Sequence, residues 1–235
     1  MTKKLEELFN LPSADITPEE AQAVFEENKE YFYNIIPKEK IIHQKIEGDI
    51  NVDSWSREFH QRDNMIPKSI VDDDLIITSD VDEIINPNIL KNNFEKNTIY
   101  TCLQNFYYYK LNNFINSNWY GSIICFGDVF KKATPNKIRS TSGMVHIPEV
   151  NNKLITNSGW HFSYLGDKNF IKEKIQAFSE EWCNNPIYLD NIENNLNHNK
   201  DLFFRNINFT TVDIDETFPT YIIENKQKYI DKGLL

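Results

Sequence analysis

The stretch Leu75-Ile76-Ile77-Thr78, running straight into Ser79-Asp80-Val81-Asp82-Glu83, limits the folds open to this chain more than any other segment. Its unbroken apolar run has strand length and reads as a buried strand, the kind found in α/β sheets covered on both faces. Ligands in open α/β sheets bind outside the carboxyl ends of the strands, where this run delivers its carboxylates. If the chain stays extended, Asp80 and Asp82 share one face and can offer hard oxygens to a single Mg²⁺ or Mn²⁺. The same letters also suit a polar strand-to-turn junction, because Asp is a common turn former.

Around this stretch, helical and strand patterns alternate without an internal repeat, which predicts one α/β domain over 17–235 behind a tail or linker at 1–16. Thr17-Pro18-Glu19-Glu20 carries helix-start signals and predicts a helix over about 18–33. Residues 40–46 read as a strand, and Ser54 as the cap of a helix reaching about Met65. The aromatic and β-branched stretches 100–111 and 119–126 read as further strands. Asp167 can cap a helix whose buried stripe is Ile171, Ile175, Phe178 and Trp182. The Asn-rich segment 184–199 reads as a surface loop.

Charge narrows the partners. Twenty-five Lys and Arg against thirty-five Asp and Glu leave a formal charge of -10, with no basic stripe, so nucleic acid is not an expected partner. A phosphorylated substrate would be repelled unless a divalent cation or a local Arg reversed the sign at the site. Three scattered cysteines form neither a disulfide framework nor a CxxC motif. No apolar run reaches the ~20 residues of a membrane span, and the start lacks a signal-peptide core, so a cytoplasmic location is expected. The seven glycines match no phosphate-binding loop, and HExxH and GxSxG are absent.

Two other stretches carry candidate chemistry. Ser158-Gly159-Trp160-His161-Phe162-Ser163-Tyr164 sets an indole beside an imidazole. Trp160 can stack on a sugar ring, and His161 can complete a metal shell or, protonated, balance phosphate charge, although each residue taken alone is more often core than site. Arg139 could pair with phosphate oxygens or sit in an exposed salt bridge. Tyr107, Tyr108 and Tyr109 could line a carbohydrate site, although a strand sends alternate side chains to opposite faces. A rival pattern, Asp213-Ile214-Asp215-Glu216-Thr217, fits the aspartyl-phosphate phosphatases, but only twenty residues follow Asp215, too few for the downstream motifs of such an enzyme.

In this order along the chain, these stretches resemble glycosyltransferase family 17, the family of β-1,4-mannosyl-glycoprotein 4-β-N-acetylglucosaminyltransferase. Ser56-Arg57-Glu58-Phe59-His60-Gln61-Arg62 is similar to its Arg-Glu-x-x-Gln-Arg helix, and DLIITSDVDEI, from Asp74 to Ile84, to its strand and acidic motif. Trp119-Tyr120-Gly121, the segment 135–139, Gly159 to Tyr164 and Asp215 to Tyr221 continue the likeness over about 24–232. The resemblance implies a GT-A-like nucleotide-diphospho-sugar transferase fold with a mixed central sheet flanked by helices. It also implies transfer with inversion from a nucleotide-sugar donor, UDP-N-acetylglucosamine, to a glycan hydroxyl. In that reading Asp80 and Asp82 hold Mn²⁺ or Mg²⁺, Arg139 or His161 neutralises the leaving group, and Trp160, with Tyr164 and Tyr108, contacts substrate. Glu83 is the first candidate for general base, with Glu180 or Glu181 next. Family members open with a strand-helix-strand unit in place of which this chain has about twenty dissimilar residues. An N-terminally truncated fold, a partner supplying that unit, and a bacterial or viral setting without a Golgi anchor are the expectations. The alternative is a catalytically degenerate domain that binds carbohydrate or protein.

Overall fold

The computed structural model describes residues 26, 28–30, 33–34, 36–42, 44, 46, 52–67, 69–139, 146–177 and 179–235. The chain divides into two compact units, Met1–Lys68 with Asp167–Ile192, and Ser69–Gly166 with Glu193–Leu235. The expected tail at 1–16 and most of the helix expected over 18–33 lie outside the described residues.

In the first unit, the helix Ser54–Asn64 is capped by Asp53 rather than Ser54. The Asp53 carboxylate accepts from the Ser56 amide at 3.0 Å, and Ser54 instead donates its hydroxyl to Ser179 O. The described part of 40–46 contains no strand; Lys38–Lys40 is a turn of 3-10 helix. The helix Lys168–Ala177 is capped by Asp167 as its sequence predicts, with Asp167 Oδ1 accepting from Asn169 and Phe170. Ile171 and Ile175 are buried on its inner face. The stripe stops there. Phe178 is outside the described residues, and Trp182 sits on a separate 3-10 turn, 56% exposed. The supposed loop 184–199 holds two short helices, Pro186–Leu189 and Ile192–Asn197; in the first, Asn185 Oδ1 accepts from the Ile187 amide, and a Pro stands at its start.

The second unit is built on a mixed sheet of seven strands: β1 (Leu75–Thr78), β2 (Glu83–Ile85), β3 (Thr98–Tyr108), β4 (Asn113–Phe126), β5 (Asn151–Ile155), β6 (Gly159–Ser163) and β7 (Thr210–Thr211). The main order is β1-β4-β3-β6-β2, with β5 also on β3 and β7 on β4. The aromatic, β-branched β3 is its buried centre. One edge of β3 pairs antiparallel with β4; the other pairs parallel with β5 and then, further along, with β6. Where β5 gives way to β6, Ser158 fills the gap, its amide and its hydroxyl both donating to Leu103 O. Among the described residues no helix is long and apolar enough to cross a membrane.

The apolar run that opened the sequence reading is not a doubly covered strand. β1 is an edge strand, antiparallel to β4, and Leu75 and Ile77 are exposed. Nor does the extended conformation persist beyond it. Glu83 N donates to Asp80 O at 3.1 Å, so Val81 and Asp82 form the corner of a tight turn from which β2 departs. The chain then crosses to the far edge of the sheet, where β2 pairs antiparallel with β6.

Candidate functional site

Register brings the two most informative stretches of sequence together. Glu83 on β2 is the antiparallel partner of His161 on β6, and Phe162 N donates to Asp82 O at 2.9 Å. Gly159 makes this pairing close: it sits at φ 148°, and a Cβ there would overlap the backbone carbonyl of Ile84.

Glu83 is the centre of the cluster. Its side chain is 0% exposed. Oε1 accepts from Trp119 Nε1 at 2.9 Å and Arg139 Nη2 at 2.6 Å. Oε2 accepts from Ser122 Oγ at 3.2 Å and Asp80 N at 3.3 Å. A carboxylate has about four lone-pair sites, and here each has a donor. Ser122 in turn accepts from Gln104 Nε2 and lies 2.6 Å from Ser79 Oγ.

Arg139 ends the helix Pro135–Arg139 and reaches back over the sheet. Its Nη1 donates to Gly121 O, and its Nη2 pairs with both Glu83 and Asp80, the latter at 2.5 Å. Burial pulls its pKa down, but the hydrogen bond and charge of Glu83, with Asp80 behind them, more than compensate, and the guanidinium is held above its ordinary range. It is not the exposed salt bridge that a lone Arg would suggest.

His161 is sandwiched by aromatic neighbours. Trp119 stacks on it at 4.2 Å between centroids, and Phe106 meets it edge-on at 4.8 Å. Its Nδ1 is 3.7 Å from Asp82 Oδ1 and 4.0 Å from Glu83 Oε1. Asp82 keeps 22% of its side chain exposed and Asp80 46%. Glu83 and Asp80 thus pair with Arg139 while Asp82 lies beside His161, so carboxylates outnumber the guanidinium at the site.

The remaining sequence candidates are placed differently. Trp160 is buried with Tyr107, Leu111, Phe162, Phe218 and Ile222, and its Nε1 donates to Thr217 O at 3.1 Å. Tyr108 and Tyr164 are buried and pack on each other at 4.9 Å. None of these three rings offers an open face to solvent. Glu180 and Glu181 belong to the other compact unit. Asp215 of the phosphatase-like pattern accepts from the amide and hydroxyl of Thr217, a local turn ahead of the helix Thr220–Glu224.

Trp119, Ser122 and Gln104 escaped the sequence reading as site residues. Gly121 was the available signal, since a glycine inside a strand often marks close approach of other groups. A Cβ at Gly121 would fall on the Gln104 side chain.

Among the described residues no group of three or more His, Cys, Asp or Glu side chains could cage a metal. Of the two carboxylates on the turn, Asp80 pairs with Arg139 and Asp82 lies beside His161.

Compared with known proteins, residues 12–230 match the sequence profile of glycosyltransferase family 17. No curated protein and no solved structure matches the chain.

Proposed function

The chain belongs to glycosyltransferase family 17, and from that premise we propose that it transfers N-acetylglucosamine from UDP-N-acetylglucosamine, with inversion, to the hydroxyl of a glycan on a GT-A-like fold. The family implies glycosyl transfer, with a sugar donor and acceptor. The observation that supports the site is the convergence of Asp80, Asp82, Glu83, Arg139 and His161 from three separate stretches of sequence.

Such a transfer is a displacement driven by holding the acceptor in line and stabilising charge on the departing diphosphate. Arg139, always charged, and His161 are the groups suited to the leaving phosphates. The excess of carboxylates would repel a diphosphate, which is the reason to place Mn²⁺ or Mg²⁺ with Asp80 and Asp82. That ion, when bound, neutralises the phosphate oxygens. Glu83 has no exposed surface and no open lone pair, so it serves to anchor Arg139 and Trp119 rather than to take the acceptor's proton.

Thermal denaturation tests this reading. Mn²⁺ and UDP-N-acetylglucosamine together raise the melting temperature of the wild-type chain, and Asp82→Asn removes the rise. An unshifted wild-type transition under saturating ligand refutes the proposal and leaves the non-catalytic, glycan-binding reading in its place.

A further inference from the structure

Beyond the acidic cluster, the second unit carries a groove of about 550 Å³ formed by the irregular segment between the helix Ile192–Asn197 and β7. Asn199, Asp201, Phe204, Arg205, Asn208 and Phe209 line it. We propose that this groove is a carbohydrate subsite, the place where the acceptor glycan lies. The inference rests on the transfer reaction proposed above for its role, but not for its chemistry.

The groove is preformed although it has no regular secondary structure. Asp201, buried, accepts from the amides of Phe203 and Arg205 at 3.0 and 2.9 Å and from Arg205 Nε and Nη2 at 3.0 and 2.7 Å. Asn199 and Asn113 exchange two amide hydrogen bonds, of 2.7 and 3.1 Å. Tyr109 donates its hydroxyl to Lys200 O at 2.6 Å. A surface held in this way loses little freedom when a ligand binds.

Its lining has the chemistry of a sugar site. Phe204 stands 52% exposed at φ 55°, an uncommon conformation for a bulky side chain, and offers an apolar face. Asn208 adds an exposed amide with both donors and an acceptor. Asp201 takes two hydrogen bonds from Arg205, and its single charge offsets that of the guanidinium, so the pair presents no net charge and suits a neutral polyhydroxyl ligand. Behind Phe209 lies Tyr108, 1% exposed, its ring 5.8 Å from that of Phe209 and its hydroxyl without a hydrogen bond among the described residues, within the fields of Arg205 and Asp201. An unsatisfied buried hydroxyl beside a groove is a group that a ligand or an ordered water can complete.

Position agrees with the assignment. Phe106 touches both Trp119 and His161, and Tyr108, two residues on, touches Phe106 and Phe209. A strand rises about 3.4 Å per residue, so Tyr108, on which the groove's Phe209 packs, stands about 7 Å along β3 from Phe106, the register partner of His161.

The test is retention of the full chain on a printed array of neutral and acidic oligosaccharides, with the melting shift by Mn²⁺ and UDP-N-acetylglucosamine measured in parallel. Wild type is expected to be retained by neutral oligosaccharides. Phe204→Ala and Asn208→Ala, folded by their unchanged melting temperatures, are expected to weaken retention at least about tenfold while keeping the donor shift. No retention of wild type, retention by acidic glycans alone, or equal retention of both variants overturns the subsite. Loss of the donor shift with glycan retention intact overturns the transfer reaction and leaves the groove standing.

Discussion

Trp119 and His161 lie face to face, 4.2 Å between ring centroids and 19° from parallel, while the same indole donates its N–H to the buried Glu83. One side chain thus fixes both the plane of the imidazole and one acceptor of the carboxylate beneath it. Trp119→Phe keeps an aromatic face but leaves a lone pair of Glu83 unanswered, and should lower stability by about 1–3 kcal/mol. Urea denaturation of the two proteins checks this, and an unchanged midpoint would show that the hydrogen bond is energetically idle.

Arg139 pairs with the buried carboxylate of Glu83 at 2.6 Å. Arg139→Met keeps most of the apolar stem but strands the carboxylate, with an expected loss of about 3–5 kcal/mol. The paired change Arg139→Met with Glu83→Gln should recover much of that loss, because it removes the buried charge itself. A double-mutant cycle in urea reads the coupling; additivity of the two changes would contradict the pairing.

At Gly159 the close passage of β2 against β6 admits no side chain. Gly159→Ala should fall at or beyond the upper end of the usual range of about 0.5–3 kcal/mol for point substitutions. It should also abolish any donor-induced melting shift, since it separates Glu83 and Asp82 from His161. Retention of a full shift in this variant would show that the β2–β6 register is irrelevant to the site.

Alkali should destabilise the fold. Burial pushes the thiol of Cys102 up to about 11 and that of Cys125 up to about 12 from 9.0, and the phenol of Tyr107 up to about 12 from 10.0. The unfolded chain therefore gives up these protons first. The stabilisation is whole below about pH 9 and is lost as the pH climbs towards the folded values, by about 1.4 kcal/mol per pH unit for each group in its window. Melting temperatures recorded from pH 7 to 11 should hold level and then decline. All three cysteines are buried, so a thiol reagent at pH 8 should label them only after denaturation.

Local signals in the sequence announced local structure well. The aromatic run of β3, the cap at Asp167 and the turn-forming acidic residues each follow from neighbours a few positions away. The errors came where the outcome depends on distant partners. β1 reads as a buried strand because its letters do not reveal that it pairs on one side only. Trp182 fits a helical stripe whose helix ends five residues earlier, at Ala177. Arg139 and Glu83, fifty-six residues apart, carry no mutual mark in the sequence, nor do Asn113 and Asn199, eighty-six apart. Glu83 and Trp160 were legible as notable residues, but their burial changes what each can do, and burial is a property of the assembled sheet.

The bonds joining Tyr109 to Lys200 and Asn113 to Asn199 fasten the corner between β3 and β4 to the rim of the groove. Heat or denaturant cannot flatten that rim while the hairpin stays intact, so amide protons of 199–209 should exchange with solvent in step with those of the sheet's middle, as one cooperative block. The cradle is then finished when the hairpin is finished, and it is inherited by any guest rather than built around one.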